Sequence, residues 1–208
     1  TEEEFADSRF QVLSELTRLR QLCCDPALVY ENYEGGSAKL DLCIELIQSA
    51  VESGHKILLF SQFTSMIEIL TARLQEESIS YFVLQGSTKK EQRAQMVEQF
   101  NRDDTSVFCI SLKAGGTGLN LTGADIVIHY DPWWNVAVEN QATDRAHRIG
   151  QRTVVTVYKL IAKGTIEEKI IKLQQMKKEL AEEILSGDEI KTASFQREEL
   201  LELLEERF

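Results

Sequence analysis

Proline, paired cysteine and long apolar runs are what this sequence lacks. Only 2 prolines stand among 208 residues, beside 11 glycines, which excludes collagen-like and low-complexity compositions. Cys23, Cys24, Cys43 and Cys109 include no C-x-x-C pair and no neighbouring histidine cluster. That argues against a zinc site and predicts reduced, mostly buried thiols. The longest apolar runs, such as Ile57-Leu58-Leu59-Phe60, fall far short of the ~20 residues of a membrane-spanning helix. No internal repeat is visible, and the acidic start Thr1-Glu2-Glu3-Glu4 does not read as a signal peptide. The expectation is a soluble, intracellular chain with no membrane partner.

A basic excess is also lacking, since 34 acidic residues outnumber 23 basic ones for a net charge of −11. Its distribution is uneven: residues 1–40, 41–84 and 161–208 each carry −4, whereas 85–160 carries +1. Acidity is therefore peripheral, which permits a phosphate-binding surface in the middle without demonstrating one.

What is present is an alternation of short apolar runs and helical patterns. Leu16, Leu19 and Leu22 recur at helical steps in 5–22, and Cys24-Asp25-Pro26 should end that helix. Ser37 is a candidate N-cap for a second helix carrying Leu40, Ile44, Ile47 and Val51. Strands are then predicted at 56–60, 81–84, 107–111, 125–130 and 154–160, with helices at 64–77, 89–100 and 137–147 between them. Near-continuous apolar strands separated by helices predict an α/β fold, a parallel sheet covered on both faces. A charged helix over 165–185 and a leucine-rich helix over 197–206 should follow. The expected division is an entering helical segment over 1–36, a main lobe over 37–164, and a brace helix with a terminal docking helix over 165–208. Ligands of such sheets gather where strands end, which directs attention to the loops after Phe60, Leu84, Ser111 and Tyr130.

Two segments carry most of the chemistry. In Gln141-Ala142-Thr143-Asp144-Arg145-Ala146-His147-Arg148-Ile149-Gly150-Gln151, a helix would place Gln141, Arg145 and Arg148 on one face. An amide and two guanidinium forks converging there suit a triphosphate. An ordinary surface helix, its arginines paired with Glu139 and Asp144, is the alternative. His147 is read as a packing or hydrogen-bonding residue. The second segment, Ser111-Leu112-Lys113-Ala114-Gly115-Gly116-Thr117-Gly118-Leu119-Asn120-Leu121, has glycines that let backbone approach a polyanion, and Lys113 adds charge. A plain tight turn explains it as well.

The string Q-A-T-D-R-A-H-R-I-G-Q resembles the last helicase motif of the Swi/Snf-type ATPases, and S-L-K-A-G-G-T-G-L-N-L resembles their fifth. Asp131-Pro132-Trp133-Trp134-Asn135 is similar to a further family segment, with Val136 where many relatives have proline. Phe60-Ser61-Gln62-Phe63-Thr64 and Leu84-Gln85-Gly86-Ser87-Thr88 resemble nucleic-acid-facing motifs, and Thr88 could also cap a helix. The resemblance covers roughly 10–185. It implies the second, C-terminal RecA-like lobe of a superfamily-two DNA translocase, with helical extensions at both ends. Carried over, Arg145 and Arg148 become arginine fingers, and Gly118, Asn120 and Gln141 approach the nucleotide. Ser61, Gln62, Gly86, Ser87, Ser111, Lys113 and Trp134 approach DNA; Arg93 and Phe100 fit the pattern as structural or functional residues.

Neither G-x-x-x-x-G-K-[ST] nor a D-E-x-H-type motif occurs. ATP and Mg2+ are therefore expected to be held mainly by a first lobe outside this chain, with neither bound by this chain alone, no metal ligands here, and negligible ATPase activity in isolation. Expected partners are double-stranded DNA, that first lobe, and a remodelled target such as RNA polymerase or another DNA-bound complex. A strand-separating helicase and a non-catalytic docking module remain alternatives. The expected setting is a bacterial cytoplasm, at the nucleoid, or the nucleus in a eukaryote.

Overall fold

A computed structural model describes residues 2–115, 118–146 and 154–185. The predicted docking helix over 197–206 lies outside them. Five strands form one all-parallel sheet: β1 (Ile57–Ser61), β2 (Tyr81–Leu84), β3 (Val107–Ser111), β4 (Ile126–His129) and β5 (Thr156–Lys159), in the order β2-β3-β1-β4-β5. The helices are α1 (Glu2–Cys24), α2 (Ala38–Glu52), α3 (Thr64–Glu76), α4 (Lys90–Arg102), α5 (Leu112–Gly115), α6 (Val136–Thr143) and α7 (Ile166–Leu185).

The three central strands are buried along their whole length, and their alternation divides the core. Ile57, Leu59, Cys109 and Ile128 face Ile44, Ile47, Met66, Ile67 and Leu70 of α2 and α3. Leu58, Phe60, Phe108 and Ile110 face Phe100, Leu119, Leu121 and Ala142 on the other side. Leu70 is fully buried, so Leu70→Ala is expected to lower the unfolding free energy by about 2–5 kcal/mol, read as an earlier urea midpoint.

The sheet is flanked by helices as expected; β5 is its edge strand and all four of its residues are exposed, while α7 packs on α1. Leu16, Ile166 and Ile170 bury together there, with Trp134 against them. The helix predicted over 137–147 ends at Thr143, with Asp144 as its C-cap. Beyond it the Arg145 N–H donates to the Ala142 carbonyl at 3.2 Å, a turn contact, and the Arg145 carbonyl accepts from the Leu121 N–H at 3.0 Å. Elsewhere the match is close: β2 and β3 form at the expected residues, and Ser37 caps α2 by accepting from the Leu40 N–H. Cys24, Cys43 and Cys109 are buried thiols and Cys23 is half-buried. No helix among the described residues is long and apolar enough to cross a membrane.

Candidate nucleotide and DNA-facing site

The loops that leave the carboxyl ends of the strands are tied together from behind by buried polar groups. After β1, Ser61 is fully buried and its hydroxyl donates to Asp131 Oδ1 at 2.6 Å. The Gln62 N–H reaches the same carboxylate at 3.3 Å, and the Phe63 N–H donates to Ser61 Oγ at 3.2 Å. Burial raises the Asp131 carboxyl pKa, against the lowering influence of the Ser61 hydroxyl and of Arg20. Arg20 comes from α1 and donates to the Pro132 carbonyl at 2.8 Å.

After β2, the hydroxyl of Thr88 turns back and accepts from the Gln85 N–H at 3.1 Å. The cap position of α4 belongs to Lys89, which makes no side-chain cap bond, so the expected Thr88 cap is a turn-closing contact instead. Arg93 holds this loop from the rear: Nε donates to the Thr88 carbonyl at 2.9 Å, and Nη2 to the Gln85 and Gly86 carbonyls at 3.2 Å each. Gly86 and Ser87 are left exposed at the rim.

After β3, Ser111 is 2% exposed, and its hydroxyl has no hydrogen-bond partner among the described residues. The chain then forms α5, which leaves Lys113 exposed. Gly116 and Thr117 lie outside the described residues. Gly118 has φ +41°, a left-handed conformation that suits glycine. Gly118 and Asn120 line an open groove with Lys90 and Arg93 of α4, and the Asn120 carbonyl is held by Asn101 Nδ2 at 2.8 Å.

After β4, Asn135 caps α6 by accepting from the Ala137 N–H. Glu139 is 1% exposed on the inner side of α6; it accepts from the Trp133 N–H at 3.2 Å and pairs with Lys159 of β5. Gln174 of α7 donates to the Trp133 carbonyl and to Glu139. Burial alone raises the Glu139 pKa, yet the Lys159 ammonium and His129 bring it below the usual carboxylate range.

His129 stacks on Phe60 with ring centroids 5.5 Å apart, and its Nε2 meets Thr143 Oγ1 at 3.0 Å. Burial pushes this imidazole down to about 4, opposed by Glu139 and assisted by Lys159. A depressed folded-state value means the stabilisation is complete above the ordinary 6.5 and is lost as pH falls toward 4. The expected cost approaches ~1.4 kcal/mol per pH unit inside that window. Urea midpoints of the wild type and His129→Gln, compared from pH 7.5 to 5, check it; parallel pH slopes would refute it.

Gln141 is exposed on α6, whereas Arg145, in the turn beyond it, is 3% exposed. His147 and Arg148 lie outside the described residues. Ser61 and Ser111, expected to approach DNA, sit beneath their loops as buried groups, while Gly86, Ser87 and Lys113 are exposed and Gln62 is half-buried. Trp134 is half-buried and packs toward the junction of α1 and α7.

Sequence reasoning missed the scaffold formed by Arg20, Asp131, Glu139, Lys159 and Gln174. A signal for Arg20 existed: Leu16, Arg20 and Cys24 stand four apart on α1, and all three are buried, so an arginine stands in step with core positions.

An all-parallel sheet whose strand-end loops carry these motifs is a RecA-like lobe of the helicase kind. Residues 38–150 match the family described as the helicase conserved C-terminal domain, and the chain belongs to that family, in its Swi/Snf-type branch. It is 45% identical over 202 residues to an uncharacterized ATP-dependent helicase of Mycoplasma pneumoniae, covering 95% of this chain and 19% of that protein. The Sulfolobus solfataricus SWI2/SNF2 ATPase C-terminal domain superposes with TM-score 0.71 at 33% identity, covering 93% of this chain and 81% of that one. The SWI2/SNF2 ATPase core of the same organism, solved in complex with double-stranded DNA, gives TM-score 0.70 at 37% identity over 85% of this chain and 38% of that one. The chain thus spans about a fifth of the length of the curated relative.

Proposed function

We propose that this chain is the C-terminal lobe of an ATP-dependent translocase that moves along double-stranded DNA and remodels protein–DNA complexes. The observation that carries the proposal is the likeness, over 85% of the chain, to an ATPase core solved on double-stranded DNA. In this reading ATP binds between two lobes, the arginines of this one complete the site as the cleft closes, and hydrolysis reopens it. The guanidinium, amide and backbone N–H donors of this lobe fit phosphate oxygens. In this reading ATP and Mg2+ are held mainly by the first lobe, and the nucleotide-facing side of this lobe is Gly118, Asn120 and Gln141 with Arg145 and Arg148.

Arg145 is buried in the lone lobe. Its finger role requires the guanidinium to swing toward the cleft on closure, and Arg148 is the residue to test first. Gly86, Ser87 and Lys113 are assigned to the DNA backbone directly, with Gln62 at the margin. Ser61 and Ser111 shape the loops from beneath, and Trp134 braces the neighbouring segment. Phosphate contacts carry no sequence information, so binding should be non-specific and salt-dependent. RNA polymerase or another DNA-bound complex is the proposed target, and the setting is a bacterial nucleoid or, in a eukaryote, the nucleus.

The full-length protein is expected to show DNA-stimulated ATP hydrolysis and to displace a third strand from a triplex without separating the duplex. Strand separation without triplex displacement would favour a processive helicase. Loss of Lys113 (Lys113→Ala) should weaken binding alike on all sequences and reduce the salt slope by about one; an unchanged slope would remove Lys113 from the DNA track.

A further inference from the structure

We propose that Arg20 is a positioning residue that couples the entering helix α1 to the two loops after β1 and β4. The inference rests on the translocase reading, and it assigns to one side chain the link between helix and loops.

Arg20 is 5% exposed, an unusual state for a guanidinium, whose burial is costly unless it is paired. The compensation comes from three directions. Its Nη2 donates to the Pro132 carbonyl at 2.8 Å, in the loop after β4. Its guanidinium lies 5.7 Å from the ring centre of Phe63, in the loop after β1, and 5.3 Å from that of Trp134. Its charge faces Asp131, whose carboxylate holds the Ser61 hydroxyl and the Gln62 N–H. One side chain from α1 therefore touches both loops and faces the carboxylate that joins them.

The geometry needs arginine. A planar cation can stack on aromatic rings while an edge nitrogen donates to a carbonyl, whereas an ammonium on a flexible stem cannot keep both kinds of contact. Trp134 extends the joint, since it packs on the cluster of Leu16 with Ile166 and Ile170, where α1 meets α7. In the translocase reading the first lobe precedes α1, so a rotation of α1 reaches Phe63 and Trp134 through Arg20 and shifts the DNA-facing loops together. Without that contact the nucleotide cycle would run while the loops failed to follow.

The test uses the full-length protein with Arg20→Lys and Arg20→Met, each checked for its melting temperature. Expected are DNA-free ATP hydrolysis within about twofold of the wild type, and stimulation by DNA and triplex displacement per ATP each reduced about tenfold or more. Arg20→Lys should not rescue either quantity. Displacement per ATP that stays at the wild-type value in either variant overturns the inference, as does a loss of all activities in proportion to the unfolded fraction. A wild-type protein without DNA-stimulated hydrolysis overturns the translocase reading itself, and the coupling role with it.

Discussion

Arg148→Ala in the full-length protein is expected to reduce the rate of ATP hydrolysis by ~10³-fold or more, the range seen when an arginine finger is lost. In the proposed mechanism, the developing charge on the transferred phosphoryl group meets a cation that arrives only when the cleft closes. Arg148 follows the turn that ends α6, beyond the carbonyl of Arg145 that is fastened to Leu121. Nucleotide affinity should change far less than turnover, because a finger makes its contact chiefly in the transition state. Arg148→Lys should restore little, since a point charge lacks the planar fork. Arg145→Ala separates two roles: a loss of turnover with an unchanged melting temperature marks a finger, and a parallel loss of both marks a structural arginine. DNA-stimulated hydrolysis that survives removal of both would exclude a finger role for these arginines and favour a docking module for this lobe.

Glu167→Ala is expected to destabilise the fold by about 3–5 kcal/mol, the cost of leaving one member of a buried pair alone. The carboxylate of Glu167 accepts both hydrogen bonds from Lys39 Nζ, at 2.7 and 2.6 Å, and a third from the Ala162 N–H at 2.7 Å. The side chains of Lys39 and Glu167 are 8% and 0% exposed. Their pairing fixes the start of α7 to the start of α2, and the ammonium also lies 5.5 Å from the ring centre of Tyr130. Removing the acid strands the cation where water cannot replace it. Replacing both with methionine should cost much less, because two well-packed apolar groups leave no charge behind. Urea denaturation of the three proteins decides it, and a single variant as stable as the double one would count against the buried pair.

Much of the fold was legible because the inner strands are short unbroken apolar runs. Tyr81–Leu84 and Val107–Ser111 form as expected, and Ser37 caps α2 because a hydroxyl before an apolar-periodic stretch has few other uses. The errors share a cause, which is that distant contacts outvoted local pattern. Nothing in the sequence from Thr143 to Arg145 forbids a helix, yet the Arg145 and Ala146 N–H groups bond three residues back, to Ala142 and Thr143, and the Arg145 carbonyl is taken by the Leu121 N–H of another loop. Thr88 reads as a cap until Gln85 claims its hydroxyl. Val154–Leu160 looks like a buried strand, yet its central residues are exposed because β5 stands at the edge of the sheet with β4 as its one neighbour. The motif strings of the candidate site stood out by themselves. Its polar scaffold did not, since Ser61 with Asp131 and Glu139 with Lys159 join residues that no local spacing relates.

The three carbonyls gripped by Arg93 have a consequence for how the loop after β2 can vary. Its path is dictated by a side chain on the following helix, so Gly86 and Ser87 at the rim are relieved of shaping it. They form an interchangeable tip on a fixed mount, and in the proposed translocase swapping them should retune the grip on a polymer track while the mount keeps its form.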